Sequence, residues 1–235
     1  MAVILSIETT STACSAALSA EGMILTHAED FEARNHAALL SGFIKHCLDY
    51  AREREMSVEA VAVSLGPGSY TGLRIGLSEA KGLAYALSVP LIGINTLELM
   101  ATRVMFSTDD VDPESILVPI VDARRMEVLT AANDFGLQAL LEPQPLILSE
   151  ESYSDLLATG RPTLFFGDGM PKFKELMEKT TPAPNEVWVE DVAPLAVDML
   201  PLAEMAYSRR DFLDLAYSTP LYLKSFQPTT PKNKA

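Results

Sequence analysis

Basic residues are scarce: Lys plus Arg is 18 against 32 Asp plus Glu in a chain of 235 residues, for a net charge of −14. Nucleic-acid phosphates are bound by clustered Lys and Arg that release counterions. No such stripe runs through the sequence, so any work on nucleic acid falls to a partner that does the touching. Cysteine is nearly absent too. Cys14 and Cys47 make neither a disulfide framework nor metal-ligand spacing, which fits a reducing compartment. The three histidines, His27, His36 and His46, include no pair three or four residues apart, so no helix presents the paired ligands of a zinc peptidase. No Gly-x-Ser-x-Gly elbow occurs, and too few histidines remain for a nucleophile triad. No run approaches the roughly 18 uncharged apolar residues of a membrane span. The opening Met1–Glu8 lacks the basic segment and long apolar run of a signal peptide. The expectation is a cytoplasmic protein with no membrane contact.

What is present is ordinary globular composition, 48% hydrophobic and 21% charged. Thirteen of the 15 prolines lie from Pro113 onward, while eight of the 12 glycines lie in residues 1–112. The change falls in the acidic stretch from Ser107 to Pro113. It predicts a first lobe over 1–106, a linker over 107–115, a smaller second lobe over 116–224 and a loose tail over 225–235. Strands are expected over 3–8, 13–19 and 23–28, with a hairpin turn at Ala20-Glu21-Gly22. Asn35 is the expected N-cap of a helix carrying Leu40, Phe43, Ile44, Cys47, Leu48 and Ala51 at helical spacing. A strand over 60–65, a helix over 71–87, a strand over 91–94 and a helix over 96–106 complete the half. Three strands followed by alternating helices and strands indicate an α/β layer with a mixed sheet.

The second half restarts the pattern. Leu117–Asp122 repeats the design of Ile4–Glu8, an apolar run ending in an acid about half a chain length away. Each is followed by a short gap and another strand, at 127–132 and 13–18, which points to an internal duplication. Further strands are expected over 145–148 and 163–166, and helices over 150–158 and 194–210.

Gly66-Pro67-Gly68-Ser69-Tyr70-Thr71-Gly72 is the densest motif. It departs from a P-loop, since Gly72 is followed by Leu73 and Arg74, and from a dinucleotide fingerprint, since Thr71 stands where the third glycine belongs. Amides of Ser69 to Gly72 can bind an anion at a helix N-terminus, or the segment is a structural strand-to-helix turn. Gly72, Gly76, Ala80 and Ala84 line one helix face. A glycine in a helix interior costs roughly 1 kcal/mol relative to alanine, so Gly76 and Gly82 require close approach by another element, either within the chain or across a subunit interface. Glu8-Thr9-Thr10 is an acid at a strand end followed by a hydroxyl-rich turn, a candidate phosphate turn or a self-satisfied one. Asp122-Ala123-Arg124-Arg125 is its second-half counterpart, expected to hold an internal Asp–Arg pair.

These residues carry a resemblance. Ile7-Glu8-Thr9-Thr10 through Ser15–Leu18, Asn35-His36, the block from Gly66 to Gly76 with Ala80–Ala84, Asp122–Val128 and Pro220–Lys224 resemble the TsaB (YeaZ) family. The resemblance implies two related α/β lobes of the actin/hsp70/sugar-kinase-like type, with mixed sheets flanked by helices. It implies a non-catalytic scaffold in making tRNA threonylcarbamoyladenosine, partnered by a TsaD-type catalytic subunit and a TsaE-type ATPase, with tRNA met only indirectly. ATP and metal then belong to the partners, and this chain has no cofactor or catalytic residue of its own; the sister's His-x-x-x-His pair has Leu40 in its second position here. The implied docking surface is a bundle of the first two helices, with Leu40, Phe43, Ile44 and Cys47 on one and Leu73, Gly76, Leu77 and Ala80 on the other. An apolar face of that kind predicts a homodimer in isolation, and Gly76→Arg is expected to abolish association while leaving the monomer folded. Two alternatives stand beside it: a free-standing ATP-dependent phosphotransferase of the same fold, using Glu8, Thr9 and Asp122 around magnesium, and a metallopeptidase.

Overall fold

The computed structural model describes residues 2–32, 36–107, 111–179 and 183–224. The expected cap Asn35, part of the linker and the 225–235 tail lie outside these residues.

The chain opens with β1 (Ile4–Glu8), β2 (Cys14–Ala20) and β3 (Met23–Asp30). Glu21 (φ 53°) and Gly22 (φ 75°) join β2 to β3, both left-handed, as a two-residue hairpin turn demands. Then come α1 (His36–Glu53), β4 (Ala60–Gly66), α2 (Tyr70–Leu87), β5 (Leu91–Asn95) and α3 (Thr96–Ser107). These form a mixed sheet of order β3-β2-β1-β4-β5, antiparallel through β3, β2 and β1 and parallel through β1, β4 and β5. The second half supplies β6 (Ile116–Asp122), β7 (Glu127–Asn133), β8 (Ala139–Ile147), α4 (Ser154–Leu157), β9 (Thr163–Phe166), α5 (Met170–Met177) and β10 (Glu186–Val189). Its sheet, β8-β7-β6-β9-β10, repeats the first in order and direction. The duplication is thus built into the fold: two related α/β lobes, each a mixed five-stranded sheet flanked by helices.

Apolar runs without polar alternation require cover on both faces of a sheet. In β1, Leu5 and Ile7 join Val61 and Val63 of β4 in a core under α1 and α2, while Ile4 joins Ala60, Ala62, Ile92 and Ile94 on the opposite face. From the first half, α3 brings Leu99 to that second face, which leaves most of it to be covered from elsewhere. It is covered by a 3₁₀ turn (Ala196–Met199) and α6 (Leu200–Arg209), whose Met199, Leu202 and Ala203 fill it. The expected second lobe over 116–224 therefore ends early: residues from about 196 onward complete the first lobe. α3 serves both sheets, with Leu99 on the first and Met100, Ala101 and Val104 against Leu117, Leu164 and Phe166 of the second.

Other departures have local causes. The helix expected over 150–158 is the single turn α4, because Tyr153 is left-handed (φ 63°) and its ring is buried against Phe165 and Phe173. β8 is longer than expected and holds Pro143 and Pro145, which an edge strand tolerates because its outer N–H groups have no partner to lose. α5 and β10 were not expected, and the helix expected over 194–210 begins as the 3₁₀ turn.

Leu202→Ala should lower unfolding free energy by about 2–5 kcal/mol, the cost of a core leucine, in urea titrations. A loss below about 1 kcal/mol would show that α6 is not part of the first lobe's core.

Candidate functional site

β1 delivers Glu8 to the sheet's carboxyl end, where it, Thr9 and Thr10 are all buried. Donors converge on the Glu8 carboxyl: the backbone N–H and hydroxyl of Thr10 on one oxygen and the Ser64 hydroxyl, from neighbouring β4, on the other. Burial raises its pKa from the ordinary 4.5 to about 7, outweighing these hydrogen bonds, which pull it down.

The glycine-rich block closes over this turn. Ser69 caps α2 by accepting from the Gly72 N–H (3.2 Å), its own N–H donates to the Thr10 carbonyl (2.7 Å), and the Thr9 hydroxyl donates to the Gly72 carbonyl (2.8 Å). A Cβ at Gly68 would strike Thr10, one at Gly72 the Thr9 carbonyl, and one at Gly76 the Thr9 Oγ1. The block is a structural strand-to-helix turn locked onto Thr9 and Thr10, whose hydroxyls both donate within the chain. His36 also serves this turn, with its Nε2 3.0 Å from the Ser11 carbonyl oxygen.

The second lobe repeats the device with different chemistry. Gly167 (φ 102°) and Gly169 open the turn into α5 and lie against the end of β6. Asp122 there accepts from the Arg124 N–H and from Lys172 Nζ (2.7 Å), while its own N–H donates to Asp168 (2.9 Å). The expected Asp–Arg pair is an Asp–Lys pair, because Arg124 and Arg125 sit in a left-handed turn (φ 71° and 55°). The Glu8 and Asp122 of the phosphotransferase reading end equivalent strands in separate hydrogen-bonded clusters. Among the described residues no three His, Cys, Asp or Glu side chains gather where they would hold one metal ion.

The eight residues expected to face a partner look inward. Leu40, Ile44, Cys47, Leu77 and Ala80 belong to the core under the first sheet, with Phe43 packed at its margin, and Leu73 and Gly76 are buried as well. The reason is the α2 lock: with Gly72 and Gly76 held on Thr9, the apolar stripes of both helices must turn to the sheet. Gly76→Arg would therefore strike Thr9 and damage the lobe itself. The outward faces carry small and polar residues instead, Ala37, Ser41 and Gly42 on α1 and Arg74, Ser78 and Gly82 on α2. A groove of about 360 Å³ runs between them, lined in part by Ala37, Ser41, Arg74 and Ser78. The helix cost that marks Gly82 in the sequence marks Gly42 equally, a signal the apolar spacing of α1 overshadows. Ser64 and Lys172 carry no local motif. Among the described residues no helix is long and apolar enough to cross a membrane.

Comparison with known proteins supplies the family. The model of the tRNA N6-adenosine threonylcarbamoyltransferase family, TsaD, matches residues 30–210. The tRNA threonylcarbamoyladenosine biosynthesis protein TsaB of Escherichia coli is 27% identical over 225 residues, covering 94% of each chain. That of Bacillus subtilis is 28% identical over 177 residues, covering 74% of this chain and 75% of the relative. The solved structure of YeaZ from Pseudomonas aeruginosa superposes with a TM-score of 0.76 at 25% identity, covering 95% of this chain and all of that one.

Glu8 generates a pH signature. Its folded pKa of about 7 lies above the ordinary 4.5, so between these values the unfolded chain has lost a proton that the folded chain keeps. Stability falls as pH rises through this window and levels off above it, by about 3 kcal/mol in all. Glu8→Gln should flatten that part of the profile in urea titrations at pH 5 and 8; an unchanged drop would assign it to other groups.

Proposed function

The chain belongs to the tRNA N6-adenosine threonylcarbamoyltransferase family, in its TsaB (YeaZ) group, and from that premise we propose that it is a non-catalytic scaffold in making tRNA threonylcarbamoyladenosine. It docks a TsaD-type catalytic subunit on the outward faces of α1 and α2 and holds that subunit in its active conformation by binding it better than the inactive one, the only way a partner shifts such an equilibrium.

A pair of open glycines carries this reading. Gly42 and Gly82 stand inside long helices on exposed faces, with nothing within 4 Å of where a Cβ would lie. Each costs its helix about 1 kcal/mol relative to alanine, and among the described residues none lies close enough to offset that cost. A partner helix laid against bare backbone does so, with Ala37, Ser41 and Ser78 as equally low neighbours. In isolation the same faces pair two copies of the chain.

The chemistry is assigned to the partners. The position four residues after His36 is Leu40, sunk in the core, so the sister's histidine pair has no counterpart here. The net charge of −14 supports a chain that meets tRNA only through the assembly. ATP and metal belong to the TsaD-type and TsaE-type subunits, and the site of action is the cytoplasm.

Co-purification with the TsaD-type subunit tests the docking face. Gly42→Arg and Gly82→Arg should each abolish capture while raising the stability of the isolated chain by up to about 1 kcal/mol, since arginine is the better helix former. Undiminished capture would remove the docking face, and threonylcarbamoyl transfer equally fast without this chain would remove the scaffold role.

A further inference from the structure

We propose that residues 211–224 form a strap that latches the two lobes together, with the Lys224–Glu127 ion pair as its catch.

The segment has no helix or strand, yet it is fastened along its length. At its start the Leu213 N–H donates to the carbonyl of Leu91 (2.8 Å) on β5, the edge strand of the first sheet. Leu213 and Leu215 pack against the first lobe's core, in space left by a missing side chain: a Cβ at Gly93 would come within 2.9 Å of Leu213. Lys81 of α2 then grips the strap through two carbonyls, Ala216 (3.2 Å) and Ser218 (2.7 Å). Further on, the Leu221 N–H donates to the Leu65 carbonyl (2.7 Å) at the end of β4, and a Cβ at Gly66 would come within 2.8 Å of the Leu221 carbonyl. The Tyr222 ring stacks on Tyr70 at 5.0 Å, and the Tyr222 hydroxyl accepts from Arg74 Nε (3.3 Å).

All these fastenings belong to the first lobe. Lys224 reaches the second, where its ammonium pairs with the half-buried carboxylate of Glu127. Glu127 begins β7 beside the end of β6, since Asp122 pairs with Val128. The strap thus runs over the turn that follows β4 and ends where the central strand of the other lobe ends. Carboxyl ends of parallel strands are where open α/β sheets expose their working surface. With the catch made, the strap covers the Gly66 end of that surface and fixes one lobe to the other. With the catch broken, its terminal part lifts from Leu65 while Leu213 and Leu215 stay seated.

Amide hydrogen exchange read residue by residue on the intact chain tests this. Glu127→Lys and Lys224→Glu should each speed exchange at Leu221 about fivefold, the worth of a half-buried ion pair. Leu213, Ile7 and Val63 should keep their rates. The double charge swap should bring Leu221 back to within about twofold of its original rate. An unchanged Leu221, acceleration shared with Ile7 and Val63, or a swap that fails to restore protection would each overturn the latch.

Discussion

The seating of α2 on the first turn sets the orientation of both helices in the first lobe. Gly68, Gly72 and Gly76 leave no side chain between the helix and Thr9 and Thr10, so helix backbone meets turn backbone, joined by the Thr9 hydroxyl and the Ser69 N–H. At that distance α2 cannot rotate. Its apolar stripe, and that of α1 beside it, faces the sheet, and the small residues on the other side face solvent. The outside of each helix is therefore decided by the turn beneath α2.

Burying Glu8 beneath the same turn has a cost, and three donors from Thr10 and Ser64 offset part of it. The second lobe solves the equivalent problem with Asp122 left half-exposed and neutralised by Lys172. One topology therefore carries two electrostatic solutions. The first lobe buries the acid at its central strand end, while the second leaves its own part-exposed and paired with a lysine.

The two lobes are not successive beads on the chain. The first sheet has apolar residues on both faces; α1 and α2 cover one, and α6 arrives from more than a hundred residues away to join Leu99 of α3 in covering the other. The strap after α6 then crosses back toward the second lobe. Chain order and packing order differ because a two-faced sheet must be sealed before its apolar side chains leave water, wherever in the chain the sealing helix lies.

Much was legible in the residues alone. The apolar run ending in an acid and repeated half a chain later announced the duplication, and the Gly66–Gly76 block announced a tight strand-to-helix turn with its family resemblance. Both are signals between near neighbours, where φ preference, spacing and side-chain size act directly. The helices were also found from their apolar spacing, but that spacing is equally consistent with a stripe turned to a sheet and one turned to a partner. Only the fold chose between them, because the choice depends on what Gly72 and Gly76 touch, and Thr9 lies more than sixty residues away. The same holds for Ser64 beneath Glu8, Lys172 beside Asp122 and α6 behind the first sheet. Each partnership joins residues with no pattern in common, brought together by the sheet rather than by the chain.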